Sequence, residues 1–245
     1  MWYNGENTGE KKMRSAFGSE EKLQARLKTV EYGMNHVPER LLEFADENSS
    51  IAENYLQSAK EDPVNFRSLF LLNYSLGTNL DVCFGYFRDW VKFYSREYDP
   101  KKGFGWFELV DVIAICACYK TKIESVEPYV LDLFGKANIK SDLLLNEFHS
   151  YLFGRKLTET CKPSSVKYAD RILETKDAAV IKEILEKEWY GFHRQAYWFN
   201  SHKAENNIFE GYWAFDVGAV AKILGIDDGA LKDAPYYPYD LVHYC

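Results

Sequence analysis

The stretch that decides the fold covers residues 206–245 and reads NNIFEGYWAFDVGAVAKILGIDDGALKDAPYYPYDLVHYC. At about 100° per residue, the apolar side chains of residues 208–224 fall on one broad face, which predicts an amphipathic helix over that range. Gly225 is expected to end this helix, because glycine adopts the left-handed backbone conformation of a C-cap at little cost. The rest of the chain must therefore supply a core that covers this apolar face.

One charged residue, Asp216, lies in the middle of that apolar face. A buried carboxylate without a partner is costly, so we expect Asp216 to be paired. Cationic side chains lie just upstream, at Arg194, His202 and Lys203. We therefore predict that Asp216 forms a structural pair with a residue of the segment 194–203, with His202 and Lys203 as the preferred partners.

The composition is that of a folded, acidic protein. Of its 245 residues, 47% are hydrophobic and 16% aromatic, which supports a core and argues against disorder. The formal net charge of −7 argues against nucleic-acid binding, since phosphate contacts need a basic face. The same charge suits a basic protein partner, although it would equally serve solubility alone. No apolar run approaches the roughly 18 residues of a membrane span, so no membrane association is predicted.

The five cysteines are odd in number and form no CxxC pair; they are Cys83, Cys116, Cys118, Cys161 and Cys245. The N-terminus does not have the pattern of a signal peptide. We therefore expect reduced thiols in a cytoplasmic protein.

The pattern along the chain is helical throughout, with no alternating strand pattern, and predicts an all-α multi-helix bundle. We predict a loose N-terminal arm at residues 1–18. An N-terminal helical region at residues 19–103 is expected to pack on a C-terminal helical domain at residues 104–245.

Local signals place the individual helices. The first is expected to run from Ser19 to about Gly33, and the next two open at Pro38 and at the Asp62-Pro63 pair, an N-cap followed by a first-turn proline. After a break at residues 99–103, the stretch FGWFELVDVIAICACYK is apolar almost all round and predicts a central buried helix. Further helices are predicted over residues 125–134, 141–153 and 177–190.

Catalytic and cofactor motifs are missing from the sequence. It contains no GxGxxG, no GxxxxGK[ST], no GxSxG and no HExxH, so we predict no cofactor and no metal ion. One enzymatic alternative stays open, in which Glu108, Asp111 and Asp216 converge with His202 in a general acid–base or metal site. It requires these groups to share one pocket that solvent can reach.

The C-terminal residues resemble a known family, the PoNi-type immunity proteins. The resemblance rests on Tyr197-Trp198, on Ser201-His202-Lys203, and on the runs GYWAFDVGAVAKILGIDD and LKDAPYYPYDLV. The family pattern has glutamate where this chain has Asp216. The resemblance implies a non-enzymatic bacterial protein that binds and neutralises a PoNe-type DNase toxin in the cytoplasm of the producing cell. An adaptor with an unrelated partner is the other open interpretation, and a homodimer is compatible with either.

Two acidic segments are the candidate surfaces for a basic toxin. Residues 39–62 contain seven acidic and two basic residues, a net charge of −5, and we predict contacts from Glu43, Asp46, Glu47 and Glu53. The second segment contributes Asp227, Asp228 and Asp233. Tyr236 and Tyr237 are also candidates for recognition, because tyrosine loses little entropy on binding. The alternative for these two tyrosines is that the C-terminal segment locks the last helix in place.

Overall fold

The computed structural model describes residues 12–42, 61–102, 105–137 and 141–245, and within these ranges the fold is all-α. No β-strand is found in them, and the only β-type pairing there is an isolated bridge between Asp142 and Lys162. The all-α prediction is confirmed. The chain divides into two compact units: unit 1 comprises Met1–Glu97 and Asn200–Gly211, and unit 2 comprises Tyr98–Phe199 and Tyr212–Cys245. Residues 200–211, which fall within the predicted C-terminal domain, lie in unit 1.

The described helices alternate with short turns in both units. Unit 1 contains α1 (Glu20–Leu42), α2 (Pro63–Ser75), α3 (Leu80–Glu97) and a 3-10 turn at Ser201–Lys203. Unit 2 contains α4 (Trp106–Cys118), α5 (Glu127–Ala137), α6 (Leu143–Phe153), α7 (Lys167–Thr175), α8 (Ala178–Lys187), α9 (Trp189–Phe192), α10 (Phe215–Leu224) and α11 (Tyr239–Val242). Its 3-10 turns are Pro100–Lys102, Lys120–Ser125 and Gly229–Leu231.

The predicted start of α2 is confirmed at atomic detail. The Asp62 side chain accepts a hydrogen bond from the backbone N–H of Val64 at 2.8 Å, and Pro63 occupies the first turn. This arrangement satisfies one of the free N–H groups of the helix, and the proline has no N–H to leave unsatisfied. From there α2 packs against both α1 and α3.

Two features of the N-terminal region differ from the predictions. Residues 12–18, the described part of the predicted arm, are held in place: the Arg14 guanidinium donates to the carbonyls of Tyr74 and Thr78 at 3.0 and 2.9 Å. Helix α1 does not end near Gly33 but continues through Pro38 to Leu42. A glycine and a proline weaken a helix by about 1 and 3 kcal/mol without forbidding it, so neither residue has to end this one.

Helix α4 is the centre of unit 2, as predicted. Its residues from Leu109 to Cys118 are buried except Asp111, and α4 packs against α6, α10 and α11. The helices predicted over 125–134, 141–153 and 177–190 correspond to α5, α6 and α8. Helix α7 was not predicted, although it is strongly amphipathic over its nine residues.

The final helix is shorter than its apolar pattern predicts. It begins at Phe215, and residues 208–214 have no helical structure. Gly211 has a φ of +110°, which is incompatible with a continuing right-handed helix. The predicted end is confirmed: Gly225 is left-handed at φ +64°, and the N–H of Ile226 donates to the carbonyl of Ala221, as in a Schellman cap.

The cysteines form no disulfide bonds in the described structure. All five cysteines are free, and burial raises the pKa of Cys118 to about 12, so its thiol stays protonated. Among the described helices, none combines the length and the hydropathy required to cross a membrane.

Candidate functional site

Asp216 is the polar centre of unit 2. Its side chain is buried, with the residue 3% exposed, on the first turn of α10. The Tyr168 hydroxyl donates a hydrogen bond to Oδ2, and the Trp189 indole N–H donates to Oδ1 at 3.3 Å. The carboxylate is therefore satisfied on both oxygens by side chains from α7 and α9.

The predicted partners of Asp216 are wrong, although its burial is as expected. The ring of His202 contacts Phe17 and Phe209 within unit 1, and Lys203 is exposed. Two neutral donors replace the predicted cation, because a buried carboxylate needs hydrogen bonds and these need not come from a charged group. In the described ranges Asp216 takes part in no ion pair.

Tyr168 keeps its proton in this arrangement. Burial raises the pKa of Tyr168 well above its usual value, and the neighbouring Asp216 and Asp111 raise it further. The hydroxyl is thus protonated near pH 7 and donates to Asp216. Tyr168 was not predicted as a partner, although the amphipathic pattern of α7 was a signal that this segment is helical with one buried face.

Further aromatic rings extend from Tyr168 and Trp189; they lie on α4, on α9 and the turns that follow it, and on the segments before α10 and α11. The ring planes of Trp189 and Trp198 stack at 5.4 Å, and those of Tyr190 and Tyr236 stack at 5.8 Å. We call the whole set the aromatic cluster; it consists of Phe107, Tyr168, Trp189, Tyr190, Phe192, His193, Trp198, Phe199, Tyr212 and Tyr236. Most of these rings come from residues 189–199, WYGFHRQAYWF. The high aromatic content of this segment was the feature of the sequence that indicated the cluster.

His193 is buried inside the aromatic cluster. Its Nδ1 lies 2.8 Å from the carbonyl of Trp189, and its ring centre lies 4.7 Å from those of Phe107 and Trp189. Burial lowers the pKa of His193, and the charge of Asp216 opposes this shift only in part. The imidazole is therefore neutral near pH 7.

This buried histidine predicts a pH-dependent stability. His193 is harder to protonate in the folded protein than in the unfolded chain, where its pKa is about 6.5. The contribution of His193 to the free energy of unfolding should therefore be constant above this value and fall as the pH drops below it. In urea unfolding between about pH 5 and 8, His193→Gln should flatten this slope. Equal slopes for the variant and the wild type would contradict the prediction.

The enzymatic alternative loses its central acid. Both oxygens of Asp216 are taken up by structural donors, and His202 has its ring contacts in unit 1. Glu108 and Asp111 lie half-buried on α4, one turn apart. Over the described part of the chain, no group of three or more His, Cys, Asp or Glu side chains is placed to hold a metal ion.

The structure places the residues of the two predicted acidic surfaces differently. Glu43, Asp46, Glu47 and Glu53 lie outside the described residues. Asp227 and Asp233 are exposed on unit 2 and stay candidates for partner contacts. Asp228 is not available, because it is only 3% exposed and accepts hydrogen bonds from the Tyr237 hydroxyl at 2.6 Å and from His243 Nε2 at 2.8 Å.

The C-terminal tyrosines serve mainly to hold the chain together. Tyr237 is buried with its hydroxyl on Asp228, so the prediction that it contacts a partner is wrong. Tyr236 is half-buried in the aromatic cluster, and its carbonyl accepts from the N–H of Ala214 at 2.8 Å, just before α10 begins. Both Tyr236 and Tyr237 therefore fit the interpretation that the C-terminal segment holds the last long helix in place.

Close packing against α10 explains one small residue in the final helix. A Cβ atom added at Gly218 would lie 2.7 Å from Pro238 Cγ and 2.8 Å from Val242 Cγ2. One turn further along the same face of α10, Lys222 Nζ donates to the carbonyls of Val242 and Tyr244 at 2.6 and 2.8 Å. The C-terminal segment is thus fastened along this face of α10.

Comparison with known proteins supports the resemblance seen in the sequence. Residues 140–241 match the family described as PoNe immunity proteins (PoNi), C-terminal, a range that includes Tyr168, Trp189 and Asp216. A crystal structure of protein PA2201 from Pseudomonas aeruginosa has a similar fold, with a TM-score of 0.64 at 15% identity over 96% of this chain and 91% of that chain. Among curated proteins, none matches this sequence.

Proposed function

We propose that this protein, whose residues 140–241 match the C-terminal region of the PoNe immunity proteins, binds and neutralises a cognate PoNe-type DNase toxin in the cytoplasm of the producing bacterium. The family match over residues 140–241 is the observation that carries the proposal. Neutralisation is by stoichiometric binding, with no chemical step performed by the immunity protein.

The charge of the protein supports this function. A DNase needs a basic groove to hold phosphates, and the net charge of −7 complements such a surface. Complementary charge speeds encounter and aligns the partners before close contact forms. Exposed Asp227 and Asp233 can contribute to this attraction from unit 2.

The structure of the polar centre supports binding rather than catalysis. Asp216 accepts hydrogen bonds from Tyr168 and Trp189, and these neutral side chains hold it inside unit 2. A catalytic acid must reach the atoms that react, whereas this carboxylate is buried below aromatic rings. Asp216 is therefore assigned a structural role.

Co-expression tests the proposal directly. Bacteria that express the DNase domain of the cognate toxin should survive when they also express this protein, and die with an unrelated acidic helical protein of similar net charge. In vitro, plasmid cleavage should stop at about one immunity protein per toxin, as expected for a tight complex. Cell death despite abundant folded protein, or inhibition that continues to require a large excess, would refute the proposal.

A further inference from the structure

Residues 200–211 belong to unit 1, although the chain directly before and after them belongs to unit 2. We call these residues the clasp. They contain Ser201-His202-Lys203, a part of the family resemblance that the proposed function does not use. Ser201 is buried, and the ring centre of His202 lies 6.3 Å from that of Phe17. This part of the sequence is therefore engaged in contacts within unit 1.

An ion pair holds the clasp on α1. The guanidinium of Arg26 donates from Nε and Nη2 to Oε1 of Glu210, at 3.2 and 2.9 Å. Glu210 is only 7% exposed, and its backbone carbonyl accepts a hydrogen bond from the Ser75 hydroxyl at 2.8 Å. Removing one partner of a buried ion pair is strongly destabilising, because the other charge stays buried without compensation. Arg26 and Glu210 are 184 positions apart, so the pair joins distant parts of the chain.

Two further contacts hold the clasp on unit 1. The Asn207 side chain donates from Nδ2 to the carbonyl of Lys22 on α1 at 3.0 Å. The buried ring of Phe209 packs on Gly18, where an added Cβ atom would lie 2.7 Å from Phe209 Cε1. Packing this close fixes the position of the ring, because a small shift already loses contacts. The clasp is thus held by an ion pair, a hydrogen bond and a buried ring.

Both ends of the clasp lead directly into the aromatic cluster of unit 2. Phe199 precedes the clasp and Tyr212 follows it, and their ring centres lie 4.6 and 5.2 Å from that of Tyr190. The first and last residues of the clasp, Asn200 and Gly211, are left-handed, with φ of +61° and +110°. Asparagine and glycine adopt such a backbone conformation more readily than other residues. The chain therefore leaves and re-enters the aromatic cluster beside the same ring.

We propose that the clasp couples the stability of unit 2 to that of unit 1. Helix α10 begins at Phe215, shortly after the clasp, and carries Asp216 in its first turn. When the clasp is released from α1, Phe199 and Tyr212 lose the constraint that keeps their rings on Tyr190. Amides of unit 2 then exchange with solvent faster, because local opening requires less free energy.

Hydrogen exchange of the full chain, resolved by mass spectrometry of its peptides, measures this coupling. Arg26→Gln leaves Glu210 buried without its cation and should speed amide exchange in α2 at least about tenfold. The same variant should speed exchange in α10 about threefold or more, although residue 26 lies in unit 1. The matched control is Lys28→Gln, which removes an exposed charge from the same helix and should leave both rates unchanged.

Two further variants identify the contact that is responsible. In the double variant Arg26→Gln, Glu210→Gln, the buried charge is gone, so both rates should return part of the way to those of the wild type. Asn207→Gly keeps the left-handed backbone but removes the donor to Lys22, and should speed exchange in both units about threefold. This milder variant carries the test if Arg26→Gln does not fold.

Three results would overturn the proposed coupling. Faster exchange in α2 with unchanged exchange in α10 would show that the two units open independently. Equal effects of Arg26→Gln and Lys28→Gln would show a general response to the loss of charge. A double variant that exchanges as fast as Arg26→Gln would show that the ion pair does not hold the clasp. None of these measurements uses the toxin, so the proposed immunity function stands or falls separately.

Discussion

Replacing Asp216 by alanine should lower the free energy of unfolding by about 2–4 kcal/mol. The substitution leaves the Tyr168 hydroxyl and the Trp189 indole N–H buried without an acceptor, and each such orphan costs about 1–3 kcal/mol. Part of this loss is offset, because the unfolded chain no longer has to desolvate a carboxylate on folding. Urea unfolding followed by circular dichroism measures the difference.

A double-mutant cycle assigns this effect to the hydrogen bonds. Tyr168→Phe removes one donor and should cost about 1.5–3 kcal/mol, the range for a hydrogen bond to a charged group. The double variant should lose less than the two single losses added together, because the two residues share one interaction. A loss below about 1 kcal/mol for Asp216→Ala would show that the carboxylate is not held as the structure describes.

Removing residues 236–245 should leave the protein largely unfolded. The deletion takes away the buried side chains of Tyr237, Leu241 and Val242, and large apolar side chains of this kind contribute about 1.5–3 kcal/mol each when fully buried. It also uncovers α10 and frees Lys222 from its two carbonyl acceptors. The combined loss of about 5 kcal/mol or more is comparable to the whole stability of a typical domain. Thermal unfolding of the truncated protein should show no cooperative transition near that of the wild type.

The matched control is a chain that lacks only Cys245. This residue is exposed at the terminus, so its removal should change the free energy of unfolding by less than about 0.5 kcal/mol. The result also tests the locking role that the structure assigns to the C-terminal tyrosines. A truncated protein that keeps its stability but no longer binds toxin would show that residues 236–245 serve recognition instead of locking the fold.

Local chemistry made several parts of the fold predictable. The cap at Asp62-Pro63, the glycine stop at Gly225 and the buried stretch that became α4 each depend on interactions within a few residues. The failures have a different origin. The apolar residues 208–214 were assigned to a helix because they continue its periodicity, yet Gly211 turns the backbone away and Ala214 bonds to the carbonyl of Tyr236.

The candidate site was predictable in its centre but not in its partners. The apolar pattern showed that Asp216 would be buried and would need hydrogen bonds. Proximity in sequence suggested His202 and Lys203, whereas Tyr168 is 48 positions away and Trp189 is 27 positions away. The rings around the carboxylate could be seen only as a composition bias in residues 189–199.

By itself, the sequence determined that this protein is helical and acidic, that its C-terminal residues resemble the PoNe immunity proteins, and that Asp216 lies in its C-terminal core. These properties follow from side-chain periodicity, net charge and the residue types of one segment, all of which are local or additive along the chain. Only the tertiary structure decided that Tyr168 and Trp189 satisfy Asp216, that Asp228 is buried and that Phe192 reaches the surface. These features depend on which helices meet, and a buried polar group binds whichever donors the packing brings to it.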